Sequence, residues 1–158
     1  EQDRLLLEHN FNERSISHML ACQMEPYFNQ YNVDCEYDSN AESDKGKKYI
    51  RILPDKATSL GKLKEIDPDE ELINNKVYSA IIVHQSGDNK HNLLIVMMKK
   101  SSSNRDFEFD CEKLQRFTSP DHENEFNYYL GAFVWLGVEE NTGQYFIKWY
   151  QYGEELDG

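Results

Sequence analysis

The side chains best able to do chemistry fall into a few groups, and most have an ordinary structural use. The cysteines Cys22, Cys35 and Cys111 are odd in number, far apart and never in a C-x-x-C pair. That spacing argues against a disulfide scaffold and against a zinc site, and predicts small buried hydrophobes in a reducing compartment. His91 and His122 lie in polar stretches without a carboxylate or thiol at ligand spacing. A basic island runs through Lys45, Lys47, Lys48, Arg51, Lys56, Lys62 and Lys64. It is the segment suited to phosphate contacts, although a solvated charged loop has the same composition. The aromatic residues Tyr128, Tyr129, Phe133, Trp135, Tyr145, Phe146, Trp149, Tyr150 and Tyr152 have the faces needed to stack on bases. Their alternation along a hairpin favours core and cross-strand packing instead.

Composition narrows the background. The chain has 158 residues, 39% hydrophobic and 13% aromatic, enough for a sizeable core and too apolar for a disordered chain. A single domain over 1–158 is expected. The longest apolar run, Leu93–Met98, is strand-sized and far short of the ~20 residues of a membrane span. Glu1–Asn10 is charged and has no signal-peptide pattern, so a cytoplasmic location is the expectation. Net charge is -12, which repels a phosphate backbone in general. The charge is uneven. Residues 51–100 hold eight Lys/Arg against seven Asp/Glu, whereas 101–158 hold four against twelve.

The elements that must position these residues follow from local pattern. Asn12 can cap a helix whose first turn carries Glu13, with Ile16, Leu20 and Met24 at helical spacing and Pro26 ending it. Val33, Cys35 and Tyr37 alternate with Asp34, Glu36 and Asp38, as on a half-buried strand. Residues 39–76 read as an insertion or extended loop region, with a short strand at Tyr49–Leu53 and a short helix after Pro68. Val77–His84 and Leu93–Met98 make a hairpin around the polar turn Ser86–Asn92, the second strand being apolar enough for burial on both faces. Asp110 can cap a helix through Phe117, with Leu114 and Phe117 inward. Tyr128–Val138 is a long strand, Asn141-Thr142-Gly143 a turn, and Gln144–Tyr152 a returning strand with Tyr145, Ile147, Trp149 and Gln151 on one face. The order helix, strand, hairpin, helix, strand, strand predicts an α/β fold with a mixed central sheet flanked by helices.

Several pieces, in this order, resemble a small bacterial single-domain group of the PD-(D/E)-x-K restriction-endonuclease-like superfamily. They are Asn12-Glu13-Arg14, Val33-Asp34-Cys35-Glu36-Tyr37, Ile81-Ile82-Val83-His84, Asn92-Leu93-Leu94-Ile95-Val96 running to Lys99-Lys100, Glu112-Lys113-Leu114 with Phe117-Thr118, and Tyr128-Tyr129-Leu130-Gly131. The resemblance covers most of the chain outside 39–76. It implies a metal-dependent nuclease site in which a strand Asp and a Glu-x-Lys on the next strand share one face. Carboxylates hold Mg²⁺, and the metal with Lys activates water. A Glu on the first helix completes the site.

Carried over residue by residue, the resemblance assigns the helix Glu to Glu13 and the Lys to Lys99, the remnants of a catalytic set. The Asp position is Ala80 and the Glu position is Met97. Alanine offers no oxygen and a thioether is too soft for Mg²⁺. Glu36, Asp88 and His84 are the possible substitutes, although His84 and His18 are better read as structural. Lys99, having lost its Glu, must reach solvent or another acid, with Glu13 the obvious candidate. No metal or cofactor is therefore expected, or Mg²⁺ if a rearranged site survives. The leading expectation is an inactive nuclease-like domain acting as a binding or regulatory module for a protein partner. The alternatives are a Mg²⁺-dependent nuclease with rearranged ligands and a non-cleaving nucleic-acid binder using Lys45, Lys47, Lys48 and Arg51.

Overall fold

The computed structural model describes residues 3–35, 49–52, 73–76, 81–86, 90–103, 107–121, 124 and 126–157, with the backbone alone for 49–52 and 73–76. Helix α1 spans Arg4–Glu8 and α2 Glu13–Met24. Asn12 takes an extended backbone at the N-cap of α2, and its side chain accepts a hydrogen bond from the Ser15 amide at 2.8 Å. Glu13 occupies the first turn, where the positive end of the helix dipole favours an acid. Pro26 falls in a short 3₁₀ turn, Glu25–Tyr27, that ends the helix.

Strands follow at β1 Asn32–Cys35, β2 Tyr49–Ile52, β3 Ile73–Lys76, β4 Ile81–His84 and β5 Asn92–Lys100. Helix α3, Glu108–Thr118, then leads to β6 Leu130–Leu136, β7 Tyr145–Gln151 and β8 Glu154–Glu155. The fold is α/β, with a six-stranded mixed sheet in the order β1-β4-β5-β6-β7-β8. Within it β1, β4 and β5 are antiparallel, β5 and β6 are parallel, and β7 and β8 continue antiparallel. A parallel pair needs a crossover, and α3 supplies it. Strands β2 and β3 form a separate antiparallel pair within the stretch read as an insertion; β3 was not expected there. Residues 36–48, 53–72 and 77–80, including the short helix expected after Pro68, lie outside the described residues.

The side chains of β5 divide between two cores because successive residues face opposite sides of a sheet. Leu94, Val96 and Met98 join Ile81, Val83, Ala132 and Val134 beneath Ile16 and Ala21 of α2. Ile95 and Met97 join Ile82 and Phe133 beneath Phe109, Leu114 and Phe117 of α3. Gly131 lets α3 approach the sheet: a Cβ there would lie 3.2 Å from both Leu114 Cδ2 and Thr118 Cγ2.

Two expectations need correction. Asp110 does not cap α3. The helix begins at Glu108 with Phe107 at the cap position, so Asp110 lies inside the first turn and is available for ion pairing. The aromatic set is only partly core. Tyr128, Phe133 and Tyr150 are buried, but Tyr129, Tyr145, Phe146, Trp149 and Tyr152 are exposed. On β7, Phe146 still packs against Phe133 and Trp135, whereas Tyr145 and Trp149 alternate to the opposite face.

Candidate functional site

Lys99 lies at the far end of β5, two residues beyond the buried Met97 and on the same face. Two elements converge on its ammonium. Glu13, from the first turn of α2, brings Oε1 to 3.3 Å, and Asp110, from the first turn of α3, brings Oδ2 to 3.2 Å. The other Asp110 oxygen, Oδ1, is 3.1 Å from Lys113 Nζ one turn along. Lys113 also sits over the Phe109 ring, 4.6 Å from its centroid. Two carboxylates thus face two ammonium groups. Side-chain exposure is 14% for Lys99 and 13% for Asp110, against 35% for Glu13, so the Lys99–Asp110 contact is the better shielded.

Topology explains this convergence. A helix that returns from the end of β5 to start a parallel β6 runs back over the sheet, so its first turn overlies the end of β5 where Lys99 stands. The sequence reading paired Lys99 with Glu13 and missed Asp110. The available signal was the Asp110–Lys113 spacing on the first turn of the helix that follows the Lys99 strand. Next to this cluster, Lys100 donates to Asn10 Oδ1 and to the Phe11 carbonyl, each at 2.8 Å, and so ties the end of β5 to the chain entering α2.

The other candidates scatter. Met97 is enclosed by the α3-side core. His84, buried on β4, contacts Asp34 Oδ2 through Nε2 at 2.8 Å and does not join the Lys99 cluster. His18 is exposed and meets Cys22 one turn on at 3.8 Å, so it lines no pocket with Glu13. Ala80, Glu36, Asp88, Lys45, Lys47, Lys48 and His122 lie outside the described residues, as does the side chain of Arg51. Among the described residues, no group of three or more His, Cys, Asp or Glu side chains is arranged to hold a metal ion. No helix among them is long and apolar enough to cross a membrane.

The cysteines depart from expectation: Cys22 is exposed, and Cys35 and Cys111 are half-buried. Burial raises the Cys111 thiol above its ordinary value, although hydrogen bonding to Tyr150 works the other way. Tyr150 is pushed well above the ordinary phenol range, chiefly by burial, and donates its hydroxyl to Glu155 Oε2 at 3.3 Å. Glu155 also binds Lys148, at 3.0 Å. A thiol held protonated is a poor nucleophile, so this group reads as packing.

No family model and no curated protein matches the sequence. The crystal structure of SSO0001 is similar at 15% identity with a TM-score of 0.37, over 98% of this chain and 62% of that one. This chain thus spans less than two thirds of that protein.

Proposed function

We propose that the chain is a restriction-endonuclease-like domain that has ceased to cleave and serves as a binding or regulatory module for a protein partner. The succession α2, β1, β4, β5, α3, β6, with three antiparallel strands and a parallel fourth, supports the fold assignment. The observation that carries the functional reading is the Lys99 ammonium lying between Glu13 and Asp110. A hard divalent cation needs several oxygen ligands. Here the two nearest acids are already neutralised by Lys99 and Lys113, and the neighbouring motif position presents the buried thioether of Met97.

One observation favours a second reading, a Mg²⁺-dependent nuclease with rearranged ligands. Asp110 and Glu13 already converge on one cation, and an inorganic one would compete for the same oxygens if Lys99 turned away. Incubation with plasmid, single-stranded DNA and RNA in Mg²⁺ and Mn²⁺ separates the two. The silent module leaves every substrate intact. Cleavage that is lost in both Lys99→Ala and Asp110→Asn overturns it in favour of the nuclease.

A further inference from the structure

The far edge of the sheet carries a feature that the Lys99 cluster does not use. Tyr145, Ile147 and Trp149 project from one face of β7 and are 69%, 41% and 38% exposed. Leu156, one step beyond the Tyr150–Glu155 pair and bonded through its amide to the Trp149 carbonyl, lies beside Trp149 and is 41% exposed. The face is continuous with the α2-side core, since Ala132 pairs with Trp149 and Val134 with Ile147. Helix α2, however, packs over β1, β4 and β5, toward the opposite edge of the sheet from β7.

Among the described residues, the outer backbone edge of Tyr145 and Ile147 is also open. Strand β8 pairs only with Tyr150 and Gln151, and the Leu156 amide adds one bond to the Trp149 carbonyl. Among the described residues, no strand pairs with the outer edge of Tyr145–Lys148. Outward-facing backbone groups recur at every second residue of an antiparallel strand. The outward Trp149 carbonyl therefore makes Tyr145 and Ile147 outward-facing too, and the Gln144 carbonyl, bonded inward to Gly137, fits this alternation. Tyr145 and Ile147 thus present backbone partners and apolar side chains together, the combination that captures an extended peptide as an added strand.

Charge selects the occupant. Residues 139–158 contain Glu139, Glu140, Glu154, Glu155 and Asp157, all exposed, against the single base Lys148, which is bound to Glu155. A second copy placed edge to edge would bring two such acidic rims together. A basic segment meets them favourably, and its Lys or Arg side chains can lie over Tyr145 and Trp149.

We propose that β7 is a docking edge for an extended basic, apolar-alternating segment of a protein partner, which adds as a strand beside Tyr145–Lys148. This rests on the binding-module reading and gives the module its surface. The test uses the full chain and a fluorescein-labelled peptide of alternating Lys and Val, with a Glu/Val peptide and a Lys/Val peptide N-methylated along one edge as comparators. The Lys/Val peptide is expected to raise anisotropy. Binding should weaken at least tenfold for either comparator and for Ile147→Lys, whose fold is checked by its thermal melt. No binding, or binding indifferent to charge, to N-methylation or to Ile147→Lys, overturns the proposal. Concentration-dependent self-association abolished by Ile147→Lys also overturns it, assigning the edge to a second copy. Metal binding and cleavage are read separately, so failure here is distinguishable from failure of the silent-nuclease reading.

Discussion

Lys99 Nζ lies 3.2 Å from Asp110 Oδ2, joining the end of a core strand to the first turn of the helix that crosses back over it. Both side chains are largely shielded from water, so removing either leaves a charge poorly compensated. Asp110→Asn is expected to lower stability by about 1–3 kcal/mol, between the figures for exposed and fully buried pairs. Glu13→Gln should cost less, because Glu13 is more exposed. Urea denaturation of the two variants checks the order, and an equal or reversed ranking contradicts it.

Met97 occupies a closed apolar site against Phe133 and the inner face of α3. Met97→Ala should cost about 2–5 kcal/mol through the cavity it leaves. Met97→Leu, of similar volume, should cost less than about 1.5 kcal/mol. Thermal melts of both variants test whether this position now serves packing. Near-equal melting temperatures for Met97→Ala and the unmodified protein would show that it does not.

Gly131→Ala places a methyl group against Leu114 and Thr118, both buried on α3. The expected penalty is about 1–3 kcal/mol from overpacking, measured by urea denaturation. A neutral or stabilising result would mean that α3 can shift from the sheet at little cost.

Alkaline pH should weaken the fold. Tyr150 and Cys111 hold their protons more tightly when folded than at their ordinary values of 10.0 and 9.0. Above those values the unfolded chain releases protons that the folded chain retains, so unfolding becomes easier as pH rises. The contribution is complete below about pH 9 and fades above it. Tyr150→Phe should flatten the decline above about pH 10 in urea titrations, leaving the slope from Cys111 that begins near pH 9. An unchanged slope would contradict the burial argument.

Features carried by adjacent residues were legible in the sequence. Asn12 and Ser15 make a helix cap within one turn, and the pairing of Ile81–His84 with Asn92–Val96 follows from apolar runs around a polar turn. Lys99 and Met97 share a face because strand side chains alternate. Asp110 was misread because its role depends on where a crossover helix lands, which no local pattern specifies. The aromatic residues of β7 were expected inside because alternation defines a face but not its cover. Trp135 and Phe146 do stack, 5.4 Å apart, whereas Tyr145 and Trp149 face outward at the sheet edge.

On the proposed reading, the Lys99 ammonium between Glu13 and Asp110 takes the place of a divalent ion. Its most direct test is a calorimetric titration with Mn²⁺ of the unmodified protein beside the double variant Ala80→Asp, Met97→Glu, which places acids at the two positions where the proposed nuclease scaffold would carry them. No stoichiometric binding to the unmodified protein is expected, and a measurable gain in the folded double variant. Stoichiometric binding to the unmodified protein that disappears in Glu13→Gln or Asp110→Asn would contradict it.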